Sequence, residues 1–125
     1  MKKVIATTKA PAAIGPYSQA VEVNGFVFLS GQLPIDPQTG DFVAGGVKEQ
    51  TAQAFKNIRA ILSEAGLSVD NIIKTTVFLS DMSLFAEMNE VYAEQFPGTF
   101  PARSAFAVKT LPKNALVEIE VVAAK

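Results

Sequence analysis

Residues 116–124 read LVEIEVVAA, and this run settles most of the architecture. Its β-branched content predicts a strand, and alternate side chains of a strand point to opposite faces. Val117, Ile119, Val121 and Ala123 then share one face, the one that helices have to cover. Leu116, Glu118, Glu120 and Val122 share the other, where apolar side chains stand beside carboxylates. The chain must therefore supply helices for one side of a sheet and something else for the other.

Two helices are legible upstream. In Val47–Ala65, the residues Val47, Thr51, Ala54, Phe55, Ile58, Ile61, Leu62 and Ala65 recur at three- and four-residue spacing. Lys48, Lys56, Arg59 and Glu64 face away, and Gly66 stops the helix. A second helix is predicted from Asp81 or Ser83 to Pro97-Gly98, with Leu84, Phe85, Met88, Val91, Tyr92 and Phe96 on one side. Strands are predicted at Lys3–Ala6, Ile72–Leu79 and Arg103–Val108. Ala20–Ser30 reads as a hairpin, because Asn24-Gly25 supplies two residues tolerant of positive φ. Pro34–Gly46 reads as a turn-rich loop with a small hairpin. The order predicts one domain over 1–125, an α+β two-layer sandwich with a mixed, mostly antiparallel sheet and both helices on one face. The open face predicts burial in an oligomer; a monomer with a hydrated sheet back is the alternative.

Composition removes most chemistries. The 125 residues are 49% apolar and 18% charged, as in a compact globular protein. Eleven Lys and Arg against twelve Asp and Glu leave a net charge of −1, with no basic excess for tracking nucleic-acid phosphates. Cys, His and Trp are absent. That excludes disulfides, thiolate nucleophiles, zinc fingers, Ser-His-Asp triads and HExxH metal sites. An all-carboxylate metal site survives in principle, but only twelve acids exist and none fall in a DxDxDG pattern, so no metal is expected; nor is a cofactor, given the chemistry argued below. Proton transfer falls to a carboxylate, Tyr, Lys, backbone or water. No apolar run approaches the ~20 residues of a membrane helix, and the start MKKVIATTKAPA is no signal peptide. A cytoplasmic protein without membrane contact is expected.

Few residues remain to carry chemistry. Arg59 lies on the solvent stripe of the first helix. Arg103, in FPARSAFAV, opens a strand after a proline-bounded turn. It can present its fork to a carboxylate or phosphate, or form an ion pair at a strand edge. Glu118 and Glu120 share a strand face roughly 6.5–7 Å apart, which suits a pair of working acids and equally two solvated glutamates. Tyr17 follows the rigid Gly15-Pro16 turn and either orients a ligand or caps the core. In Ser30-Gly31-Gln32, Gly31 either admits a ligand to the backbone or serves a turn or bulge. Asn89 interrupts the buried side of the second helix, where an amide needs a partner, unless it lies one step off the stripe.

The segments GPYSQA (15–20), FLSGQLPIDPQTG (28–40), IIKTTVFLSDM (72–82), FPARSAFAV (100–108) and LPKNALVEIEVVA (111–123) together resemble the Rid (YjgF) family. The likeness runs in order over essentially the whole chain. It implies a chorismate-mutase-like fold, a homotrimer and ligand clefts between subunits. It also implies hydrolysis of 2-iminopropanoate and 2-iminobutanoate, or their enamine tautomers, to 2-oxo acids and ammonia. By the same resemblance Arg103 binds the substrate carboxylate and Glu118 places or activates water. Tyr17, Ser30, Gly31 and Asn89 match the other cleft positions. Many members carry Cys where this chain has Ala105, so a thiol role is in doubt here and the backbone at 105 is the expected contact.

The reaction suits the composition, since an imine carbon is already electrophilic and needs no metal, cofactor or histidine. Two further readings come from other classes. Family relatives are also described as endoribonucleases and translation inhibitors, but the chain has no His and no basic excess for RNA. A carboxylate-clamping cleft can also serve a non-catalytic sensor of small acids.

Overall fold

Asn24 and Gly25 take φ values of 52° and 81°, the two left-handed positions that a tight hairpin turn requires. They close β2 (Ala20–Val23) onto β3 (Phe26–Leu29), with Val23 opposite Phe26. The computed structural model describes residues 1–125 and adds β1 (Lys3–Ile5), α1 (Val47–Glu64), β4 (Ile72–Leu79), α2 (Phe85–Glu94), β5 (Ala102–Ala107) and β6 (Val117–Ala124). All six strands form one sheet in the order β1-β2-β3-β6-β4-β5. Only β4 and β5 run parallel; every other neighbour is antiparallel. The expected mixed, mostly antiparallel sheet is thus observed. The loop after β3 carries the small hairpin, with Ile35 bridged to Phe42.

Strand direction explains why both helices share a face. Both β3 and β4 are antiparallel to β6, so they run parallel to each other, joined through α1. The β4–β5 crossover runs through α2 and advances across the sheet in the same direction. Crossovers of one hand and one direction put their helices on the same side. Phe55, Ile58, Ile61 and Leu62 of α1 and Met88 and Tyr92 of α2 there pack with Val77, Leu79, Val117, Ile119 and Val121 in one core. The ring of Phe55 meets Tyr92 edge-on at 5.6 Å.

Three details differ from the sequence reading. The second helix proper begins at Phe85, because Asp81 caps a preceding 3-10 turn, Met82–Leu84, by accepting from the Ser83 N–H. It ends at Glu94, before Pro97-Gly98. Leu116 packs against the core instead of sharing the face of Glu118, since β6 starts at Val117 and the alternation does not reach it. Beneath α1, Gln50, Gln53 and Asn57 are buried among the apolar positions. No helix is long and apolar enough to cross a membrane.

The uncovered face is apolar over much of its area. Val4, Phe26, Phe28 and Phe106 are exposed there at 56%, 43%, 44% and 45%. Phe106 meets Phe78 edge-on at 5.5 Å.

Candidate active site

The residues singled out by sequence fall into two groups, and the sheet separates them. On the open side, a cavity of about 590 Å³ is lined by Tyr17, Ser30, Gly31, Glu118 and Glu120. Arg103, Asn89 and Ala105 do not line it. Arg103 pairs in register with Thr75, and Ala105 with Val77, while Glu118 pairs with Phe78 and Glu120 with Thr76. Thr75 and Val77 are buried under the helices, so Arg103 and Ala105 stand on the helix side of β5.

Gly31 explains how Glu118 is held. The extended backbone from Ser30 to Gln32 runs beside β6, with Gln32 and Ile119 exchanging both N–H···O bonds at 2.7 and 3.2 Å. A Cβ on Gly31 would lie 2.7 Å from Glu118 Oε2 and 2.9 Å from its carboxyl carbon. Residue 31 is glycine because the Glu118 carboxyl fills the space of a side chain; no positive φ is required there. The half-buried carboxyl has its pKa pushed up, first by burial and then by the negative charge of Glu120. In a chain without histidine, such a carboxyl is a proton donor and acceptor nearer to neutrality than an ordinary glutamate.

The wall facing Glu118 belongs to the loop before β2. Tyr17 is 52% exposed and does not cap the core. Its hydroxyl accepts from the Ile14 N–H at 3.3 Å, which sets the ring over the cavity. The Ser30 hydroxyl donates to Ser18 O at 2.7 Å and ties this loop to the end of β3. Gln19, which the sequence reading passed over, is the base of the loop. Its buried Nε2 donates to Pro11 O at 2.6 Å and Thr7 O at 3.1 Å, and Oε1 accepts from Thr7 N at 2.7 Å. Lys113, also missed, reaches the cavity from the loop between β5 and β6, where Lys113 and Asn114 both adopt left-handed φ of 55° and 57°. The signal was an ordinary Pro-Lys-Asn turn, and nothing local says where its lysine points.

Arg103 is organised differently. Its Nη1 donates to Asn89 Oδ1 at 2.7 Å. The guanidinium carbon lies 4.8 Å from the Tyr92 ring centroid and 5.4 Å from that of Phe85, within cation–π range. Asn89 therefore does face a partner, and that partner is Arg103. The ion pairs of the chain are Lys48–Glu90 and Lys125–Glu22, so Arg103 makes none. It is a fixed, oriented guanidinium near the free edge of β5, with most of its donors available to an anion. Arg59 is exposed and bonds Gln95 through Nη1, a surface role as read from sequence.

The 2-iminobutanoate/2-iminopropanoate deaminase of Mus musculus is 52% identical over 123 residues, which cover 98% of this chain and 91% of the mouse protein. A Rid-family protein of unknown function from Yersinia pestis superposes with a TM-score of 0.97 at 52% identity, over 100% of both chains. The crystal structure of E. coli TdcF with bound serine has a TM-score of 0.94 at 47% identity, over 98% of each chain. Residues 7–125 match the family described as Endoribonuclease L-PSP. With the fold, the ordered motifs and these relatives in agreement, the chain belongs to that family, the Rid (YjgF) proteins.

Proposed function

We propose that this protein hydrolyses small 2-imino acids, and their enamine tautomers, to 2-oxo acids and ammonia. Imines of the 2-iminopropanoate and 2-iminobutanoate type are the substrates. The observation that carries the reading is the Glu118 carboxyl, half-buried against Gly31 with a raised pKa in a histidine-free cavity. Relatives about half identical are named for this activity, and serine, bound in TdcF, shares the carboxylate and adjacent nitrogen of such substrates.

Each group has one task. Arg103 holds the substrate carboxylate by charge-assisted bonds, worth about 1.5–3 kcal/mol each. Glu118 accepts a proton as water adds to C2 of the protonated imine (the iminium form), giving a neutral carbinolamine. It returns that proton to nitrogen; the C–N bond breaks, ammonia leaves, and the hydroxyl passes its proton to the Glu118 carboxylate, and from there to solvent, as the carbonyl forms. Tyr17 walls the cavity, and the backbone at Gly31 and Ala105 borders the ligand.

Arg103 and Glu118 serve one small ligand only if they come from different subunits. The assembly we propose is a homotrimer: the apolar open faces meet, and Arg103 of one subunit completes the Glu118 cavity of the next. RNA cleavage, suggested by the family description, is disfavoured by the two carboxylates lining the cavity and by the absence of histidine.

The test generates 2-aminoacrylate in situ and follows pyruvate and ammonia release with and without the protein. Acceleration is expected with wild type. With Glu118→Gln it should be lost by roughly 10²-fold or more, while calorimetry still detects 2-oxobutanoate binding. A wild-type protein that leaves the release rate unchanged removes the proposal.

A further inference from the structure

Helix α1 buries three side-chain amides along one stripe: Gln50, Gln53 and Asn57. Their bonds leave the helix for two loops that frame the Glu118 cavity. Asn57 Nδ2 donates to Leu33 O at 3.1 Å and Ile35 O at 2.9 Å. Gln53 Nε2 donates to Asn57 Oδ1 at 2.9 Å and to Ile35 O at 3.3 Å. Leu33 and Ile35 both line the cavity. Gln50 Oε1 accepts from Leu116 N–H at 2.8 Å, two residues before Glu118. Between these anchors, the Gln32–Ile119 bridge holds the Gly31 backbone against β6. The Gly31–Glu118 contact is thus bracketed on both of its segments by amides from one helix.

Buried amides cost desolvation that their bonds only offset, and apolar residues of similar shape often give equal stability. What directed bonds add is position. We propose that Gln50 is a positioning residue for Glu118: by holding the Leu116 N–H it fixes where β6 begins, and so seats the Glu118 carboxyl against Gly31. The assignment of a kinetic effect rests on Glu118 acting on water, as proposed above. Of the charged or titratable groups, Glu120 on β6, Lys113 on the preceding loop and Tyr17 on the opposite wall line the same cavity as Glu118. None of them is altered by a neutral substitution at position 50, so a change in Glu118 titration reports its seating.

Gln50→Met keeps length and apolar bulk and removes the acceptor; Gln50→Glu keeps an acceptor oxygen. In Gln50→Met, kcat should fall by about tenfold to a hundredfold, the scale of a small misplacement, with KM nearly unchanged. By carboxyl NMR of the intact protein, Glu118 in Gln50→Met should titrate at lower pH than in wild type, having gained water. Gln50→Glu should retain kcat within about threefold of wild type. A folded Gln50→Met that turns over and titrates like wild type overturns the proposal, even if it melts earlier. So does a folded Gln50→Glu with kcat down about tenfold or more, which keeps the test decisive should the Met variant fail to fold. If wild type itself hydrolyses no imine, the NMR comparison still decides: a lowered Glu118 titration keeps the positioning role and removes the deaminase reading.

Discussion

Arg103 and Glu118 belong to one sheet and to opposite sides of it. Arg103 lies across from Thr75, whose hydroxyl meets Tyr92 beneath α2 at 2.7 Å, and Glu118 lies across from Phe78 on the open side. In the trimer proposed above, a small substrate touched by both would bridge two subunits. Arg103→Ala and Glu118→Gln should each be inactive alone. Co-refolded in equal amounts, they should regain activity in about a quarter of the sites, the fraction that random neighbours leave with both groups intact. A mixture no more active than its parents places the site within one subunit.

Arg103→Lys keeps the charge and loses the planar fork that Asn89, Tyr92 and Phe85 hold in place. Losing one charge-assisted contact corresponds to roughly 30- to 150-fold in kcat/KM. Initial rates on an imine generated in situ measure it, and a loss under threefold removes the carboxylate-binding role.

Gly31→Ala sets a methyl group 2.7 Å from Glu118 Oε2. Overpacking of this kind costs about 1–3 kcal/mol, and the carboxyl is expected to leave its seat with loss of turnover. In a Glu118→Ala background the same substitution should cost almost no stability, because the clash is gone. Equal destabilisation in both backgrounds, by thermal melts, contradicts the packing argument.

Glu118 also has a stability signature. Its pKa is raised in the fold, so the folded chain holds this proton more tightly than the unfolded one, whose value is near 4.5. The favourable contribution is full below that value and is lost as pH rises through the folded pKa. Glu118→Gln, which never ionises, should therefore melt above wild type at about pH 8, with the gap closing towards about pH 4. Melting curves that cross in the opposite sense contradict the raised pKa.

Ala105→Cys should leave turnover nearly unchanged, since hydrolysis of an imine asks nothing of a thiol. Ala105 is an in-register partner of Val77 and packs against the core. A gain above tenfold, about 1.4 kcal/mol of barrier, would assign the side chain a role.

The sequence disclosed what local chemistry dictates. Asn24-Gly25 could hardly form anything but a tight turn, and the stripe from Val47 to Leu62 could only bury one side of a helix. Arg103, Glu118, Tyr17 and Gly31 stood out by type and neighbourhood. Their division between two faces was hidden, because ARSAFA carries small and polar residues on both of its alternating sides. Gln50, Gln53 and Asn57 read as ordinary polar helix positions, since nothing near them in sequence reveals that loops 33–35 and 116 will arrive above them. Gly31 was legible as special and not for the right reason: its neighbour Glu118 lies far along the chain.

Strand β6 is the last of the six in chain order and lies in the interior of the sheet, between β3 and β4. During synthesis on the ribosome, the hairpin β2–β3 and the β4–α2–β5 unit emerge first as two sheet fragments with an open seam between them. Neither fragment can close its core until residues 117–124 clear the exit tunnel and zip both edges at once. Between the emergence of β4 and that of β6 the nascent chain therefore carries two exposed strand edges, and such edges invite aggregation. Folding should be all-or-none once residues 117–124 are free to pair, and chains stalled before residue 117 should be the ones that chaperones hold and proteases remove.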